Sequence, residues 1–181
     1  MNNIVTILKP EEISFADIQS VIFASHETNR KNGLNYGTAN IKVDDLQKKA
    51  STGSYFFVSL VEGQLAGCAC LSRSNIHKWY YSGNVAYIEL VAVLPKFQGY
   101  GIGGKLIDKC LECAQEQKYG AVLSASAERN ISFMKVVTKR GFLKVGYGAG
   151  TSNNFYSNFY FKWLNSNRGV SNLVYKTSIF C

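Results

Sequence analysis

The chain predicts an α+β, mixed α/β domain, and three observations carry that expectation. Short apolar runs rich in β-branched and aromatic residues recur between turn-forming Gly, Asn, Asp and Ser, the pattern of strands. Other segments carry apolar residues three and four apart behind capping residues, the pattern of helices. The resulting order, β-α-α-β-β-β-α-β-α-β-β, departs from simple βα alternation and argues against a doubly wound parallel sheet. The 181 residues, 46% hydrophobic and 18% charged, suit one globular domain.

Taken in order, residues 4–8 are apolar, end at Lys9-Pro10 and read as a first strand. Ser14 is placed to cap a helix that buries Phe15, Ile18, Val21 and Ile22. Residues 27–40, polar and holding Gly33 and Gly37, read as a loop, and 43–50 as a second short helix. Residues 54–61 and 64–71 flank Glu62-Gly63, the turn chemistry of a hairpin. Residues 72–84 are polar, with Tyr80 beside Tyr81, and read as a long loop or an extension of that hairpin.

Val85–Val93 is an apolar, β-branched strand that stops before Pro95. Glycines follow at 99, 101, 103 and 104, and then an amphipathic helix that Gly120 is placed to end. Residues 121–126 read as a buried strand. Asn130 is placed to cap a helix over 131–140, and Gly141 suits the left-handed position after it. Residues 143–147 and 155–164 read as closing strands. The domain is therefore expected to span 1–164, with 165–181 an extension serving as an added strand, an oligomer contact (a homodimer is left open) or a tail.

The formal net charge of +8 favours anionic ligands, but the basic residues are scattered. Without a Lys/Arg-rich run interleaved with aromatics, a solvated basic surface is expected rather than nucleic-acid binding. No apolar run is long enough to span a bilayer, and the start lacks a basic region followed by an apolar stretch. A cytoplasmic location is the expectation. The spacings Cys68-x-Cys70 and Cys110-x-x-Cys113 read as buried core thiols, and no metal site is expected.

The chemistry concentrates between strand and helix. A helix N-terminus leaves backbone N–H groups without partners and carries partial positive charge, and glycine lets an anion approach them. The glycines fit three phosphate-binding patterns. As G-x-x-x-x-G-K they would form a P-loop, but Leu106 stands where Ser or Thr should hold magnesium. As G-x-G-x-x-G they would form a dinucleotide fingerprint, but 94–98 intervene between strand and first glycine. As Q/R-x-x-G-x-G/A, Gln98 through Gly103 fit a few residues after a strand ending Val-x-Val-x-Pro.

That third pattern resembles the coenzyme A pyrophosphate loop of the GNAT acyltransferases, over residues 85–142. A second match begins at Asn130, with Lys139, Gly141 and Phe142 in the family's frame. The resemblance implies a central mixed, mostly antiparallel sheet whose splayed strands form the coenzyme A cleft. It implies N-acetyl transfer from acetyl-CoA to a primary amine of a small molecule or peptide by direct attack. A CoA-binding sensor without catalysis is the alternative. It also implies coenzyme contacts from backbone groups of Val91, Ala92 and Val93, from Gln98, Gly99, Tyr100, Gly101, Ile102, Gly103 and Gly104, and from Asn130, which also reads as a plain helix cap. Asn35, Tyr36 and their neighbours would lie by the acceptor.

Acetyl transfer needs a base for the amine, donors for the carbonyl oxygen and a proton for the leaving thiolate. Glu89, a carboxylate inside an apolar strand, is the candidate base, since a desolvated carboxylate is the better proton acceptor. A structural ion pair with a lysine is the competing reading. The position where many family members keep a tyrosine acid holds Val137, so the acid is sought among Tyr147, Tyr156 and Tyr160, with Tyr160 the first choice.

Overall fold

The computed structural model describes residues 3–7, 12–34, 36–74, 84–149 and 154–164. Among these, seven strands form one sheet. Its order is β1 (Asn3–Ile7), β2 (Tyr55–Val61), β3 (Gln64–Arg73), β4 (Val85–Val93), β5 (Ala121–Ala127), β7 (Tyr156–Trp163) and β6 (Leu143–Ala149). The β4–β5 pair is parallel and every other pair is antiparallel, so the sheet is mixed and mostly antiparallel, as expected.

Strand alternation sends side chains to two cores. On one face α4 (Ile102–Glu116) buries Ile102, Leu106, Ile107 and Cys110 against Phe57, Leu71, Ala86 and Ile88. On the other, α1 (Phe15–Ser25) and α3 (Val43–Ser51) bury Ile18, Val21, Ile22 and Leu46 against Phe56, Val58, Cys68 and Cys70. The cysteine pairs thus sit in opposite cores, and burial pushes the Cys68 thiol up to about 12, where it stays protonated. α5 (Ile131–Thr138) packs on the α4 side through Val137.

Local signals behave as their chemistry dictates. Ser14 accepts from the Asp17 N–H while Asp17 accepts from the Ser14 N–H, a reciprocal cap on α1. Glu62 and Gly63 both adopt positive φ, 51° and 79°, as a two-residue hairpin turn requires. Gly141 takes φ 76° after α5.

Two expectations change. The stretch 27–40 holds a short helix, α2 (Glu27–Lys31), and a 3-10 turn at Gly37–Asn40. α2 buries nothing and has no apolar stripe, so periodicity could not reveal it; Lys31 pairs with Glu27 one turn away at 2.8 Å. α4 ends earlier than Gly120 implies: Lys118 supplies the left-handed residue at φ 57°, and Gly120 instead donates its N–H to the Asn84 carbonyl at the entry to β5. Residues 75–83, with Tyr80, Tyr81 and His77, and the extension 165–181 lie outside the described residues.

Gly67 brings β3 against β4 and α4. A Cβ there would stand 2.8 Å from the Ala92 carbonyl oxygen and 3.3 Å from both Ile102 and Leu106. Because the first obstacle is backbone, Gly67→Ala is expected to destabilise the protein by about 1–3 kcal/mol. Urea unfolding checks it: an unchanged midpoint would contradict this packing.

Candidate active site at a fork in the sheet

β4 and β5 run together only from Val85 opposite Ala121 to Ile88 opposite Ser124. Beyond that step β4 stays with β3 as far as Val93 opposite Gly67, and β5 stays with β7 as far as Ala127 opposite Ser157. The sheet forks. At the apex the Ser124 hydroxyl donates to the Ile88 carbonyl at 2.8 Å. Just past it, β4 bulges: Leu90 takes φ 55°, unusual for a residue with a Cβ, and the register against β3 slips between Cys68 and Cys70. Glu89 keeps the alternation and meets Lys49 on the α1–α3 side, and the bulge turns Leu90 to that same side, into the α1–α3 core.

A cleft of about 840 Å³ fills the fork. Its floor is β4 from Tyr87 to Val91 and β5 from Ser124 to Ala127. One wall is α3, which presents Asp45, Lys48, Lys49 and Thr52. The opposite wall comes from Asn130, Phe133 and alternate residues of β7. At one end Tyr36 packs between His26 and Phe155 with its ring tilted to both, the centroids 4.7 and 4.4 Å away. His26 is held below its usual pKa by burial and by Arg30, so it is neutral at pH 7. Asn35 lies outside the described residues.

The glycine loop stands beside the end of β4. Gln98 donates its side-chain amide to the Val93 carbonyl at 3.0 Å and so ties the loop to the strand. Gly99 and Gly101 adopt φ 85° and 78°, which a side chain would strain, and Gly101 opens α4. Gly103 and Gly104 are glycine for different reasons. A Cβ on Gly103 would meet only Val93, at an ordinary 3.8 Å, so the protein itself does not demand a glycine there. A Cβ on Gly104 would lie 2.5 Å from the Arg140 guanidinium, which grips Asp108 with two bonds of 2.6 Å. Ile102 is buried and can offer a ligand only its backbone, whereas Tyr100 is exposed. The N–H groups of the first turn of α4 lack intrahelical acceptors, so the loop is a ready anion site.

Glu89 lines the cleft with its side chain 14% exposed. Lys49 Nζ donates to its Oε1 at 2.8 Å, and Ser72 Oγ donates to the same oxygen at 2.7 Å. The lysine pair posed as an alternative to a base is therefore present. Val91 lines the cleft; Ala92 is buried on the α1–α3 side and Val93 packs toward α4. Asn130 caps α5 by accepting from the Phe133 N–H at 3.0 Å, and it also borders the cleft.

Tyr160 is placed differently from the expectation. Along β7, Ser157 and Phe159 face the cleft, as does Phe155 just before the strand, so alternation turns Tyr160 to the α4–α5 core. It is 2% exposed, lies against Phe133 and is not among the cleft-lining residues. Val137 is buried in the same core. Tyr147 and Tyr156 stack on each other at the exposed face of β6 and β7, with Tyr147 donating to Glu128. Sequence reasoning missed Lys49, Ser72 and Ser124, whose neighbours in space are far along the chain.

The sequence profile of the Acetyltransferase (GNAT) family matches residues 25–142. A search of curated protein sequences finds no match. Among solved structures, YncA of Salmonella typhimurium with its cofactor acetyl-CoA is 17% identical and superposes with a TM-score of 0.71 over 93% of this chain and 98% of that one. An N-acetyltransferase of Staphylococcus aureus Mu50 is 16% identical, with a TM-score of 0.72 over 91% and 100%. A ribosomal-protein-alanine N-acetyltransferase of Brucella melitensis is 18% identical, with a TM-score of 0.68 over 88% and 99%. At these identities the structures attest the shared fold, and the profile covers well over half of the sequence. The chain belongs to the GNAT acetyltransferase family.

Proposed function

We propose that this acetyltransferase moves an acetyl group from acetyl-CoA to a primary amine by direct attack, with no acyl-enzyme. The observation that carries the reading is the fork, with a glycine-opened helix N-terminus at the end of the strand that forms its floor. The diphosphate lies on backbone N–H groups of the loop from Gln98 to Gly104. The acyl arm follows β4 from Val93 toward Glu89, along the edge that faces β5, which pairs with no strand of the described residues beyond Ile88. Free N–H groups on such an edge suit an amide-bearing arm and a thioester carbonyl.

Glu89 takes a proton from the ammonium of the acceptor. The freed nitrogen lone pair attacks the thioester carbonyl, the C–S bond breaks, and the nitrogen's second proton passes to the departing sulfur. Solvent in the cleft relays that last proton from nitrogen to sulfur, because Val137 has none to give and Tyr160 is enclosed in the core.

The donor site is tested by thermal shift. Acetyl-CoA binds the native state and raises its melting temperature by mass action. Gly101→Asp places a carboxylate in the anion site and is expected to abolish the shift. A full shift in the variant would remove the diphosphate from this loop.

The base is tested by rate. Glu89→Gln keeps the shape but accepts no proton, and is expected to lower kcat about 10²–10⁴-fold while leaving acetyl-CoA binding intact. The assay uses tyramine, spermidine, kanamycin, a peptide with a free N-terminal alanine and a peptide with a central lysine. Wild-type rates in the variant would make Glu89 structural. Acetyl-CoA binding without transfer to any of these amines would favour the second reading, a CoA-binding sensor, to which the valine at 137 already gives some support.

A further inference from the structure

Two donors from two different elements converge on one oxygen of Glu89. Lys49 reaches Oε1 from α3 at 2.8 Å, and Ser72 reaches it from β3 at 2.7 Å. A fastening between helix and sheet could use either oxygen or both. With both donors on Oε1, Oε2 accepts from none of the described residues and can act as acceptor, on a carboxylate that borders the cleft. The side chains of Lys49 and Glu89 are 32% and 14% exposed, so the pair is partly buried at the border of the cleft.

Asp45, Lys48, Lys49 and Thr52 recur at i, i+3, i+4 and i+7, and all four border the cleft. Leu46 faces the other way and is fully buried among Ile18, Val21 and Ile22 of α1. The helix is thus rigidly seated by one residue and walls the cleft with four others. Lys49 is the one of these that touches Glu89.

We propose that Lys49, assisted by Ser72, is a positioning residue for acetyl transfer. It holds Glu89 through Oε1 so that Oε2 meets the proton of the incoming ammonium. It also links that orientation to the helix against which the acceptor rests. In the step itself the N–H bond of the ammonium breaks, its proton joins Oε2, and the electron pair left on nitrogen forms the new C–N bond as the thioester C–S bond breaks; the second proton leaves nitrogen and ends on the departing sulfur. Lys49 keeps its protons throughout. This inference rests on Glu89 being the base.

Steady-state kinetics of the intact protein test it, with acetyl-CoA and whichever of the five amines named above gives the highest kcat/KM. Lys49→Met is expected to lower kcat about ten- to a hundredfold, as loss of orientation does. The KM for acetyl-CoA should stay within about twofold, because the donor site is untouched. Lys49→Arg, which can still donate to Oε1, should recover most of the rate. Ser72→Ala removes the other donor without altering α3 and should lower kcat in the same pattern, by a smaller factor. Wild-type kcat in Lys49→Met would overturn the proposal, and so would Lys49→Arg as slow as Lys49→Met. The two levels separate cleanly. A slow Glu89→Gln beside a fast Lys49→Met removes only the positioning role, whereas a fast Glu89→Gln removes the base and this role with it.

Discussion

The site depends on the parting of two parallel strands. β4 and β5 share four residue pairs and then separate, although each continues for several residues with its outer neighbour. The Leu90 bulge enforces the separation. A residue with a Cβ at φ 55° is strained, and such a conformation persists only where its surroundings over-determine it. Here the Leu90 side chain is buried in the α1–α3 core, and its carbonyl accepts a long bond from the Cys68 thiol. Everything functional in the proposed reading follows: an open strand edge, a cleft between the strands, and a carboxylate that borders the cleft at the point where Leu90 breaks the alternation.

The electrostatics divide along β4. At its end the site is positive through geometry rather than side-chain charge, since backbone N–H groups at the start of α4 face outward. At its middle the charges are matched: among the cleft-lining residues Asp45 and Glu89 stand against Lys48 and Lys49, and His26 is neutral at pH 7. Such a wall offers no net attraction to a polycationic acceptor, in keeping with the net charge of +8 for the chain. The thiols stay out of this chemistry: burial and the charge of Glu89 push Cys70 far up, so it packs as a small hydrophobe.

What the sequence could disclose was whatever is decided locally. Glycine at positive φ, a hairpin turn, a serine cap and a helical stripe each leave a short-range signature, and so the strand, glycine loop and α4 were legible. Leu90 was not, because an apolar residue in an apolar run carries no sign that its backbone will turn left-handed. Lys49 and Ser72 lie 40 and 17 residues from Glu89, and only the packing of α3 and the β3–β4 register bring them together. Tyr160 failed as an expectation for a related reason: a tyrosine can be assigned to a strand from sequence, but which face it takes depends on the register with β5 and on the bulge in β6. The glycines were legible as a group, while their separate reasons emerged only from φ angles and from Arg140 beside Gly104.

The central claim is that the fork holds the acyl donor. A crystal structure of the protein grown with acetyl-CoA measures this most directly. The account predicts the acyl arm between β4 beyond Ile88 and β5 beyond Ser124, the diphosphate on the backbone N–H groups of the loop from Gln98 to Gly104, and the acetyl group facing Glu89. Acetyl-CoA bound elsewhere, with its phosphates away from the glycine loop and the fork left to solvent, would contradict it.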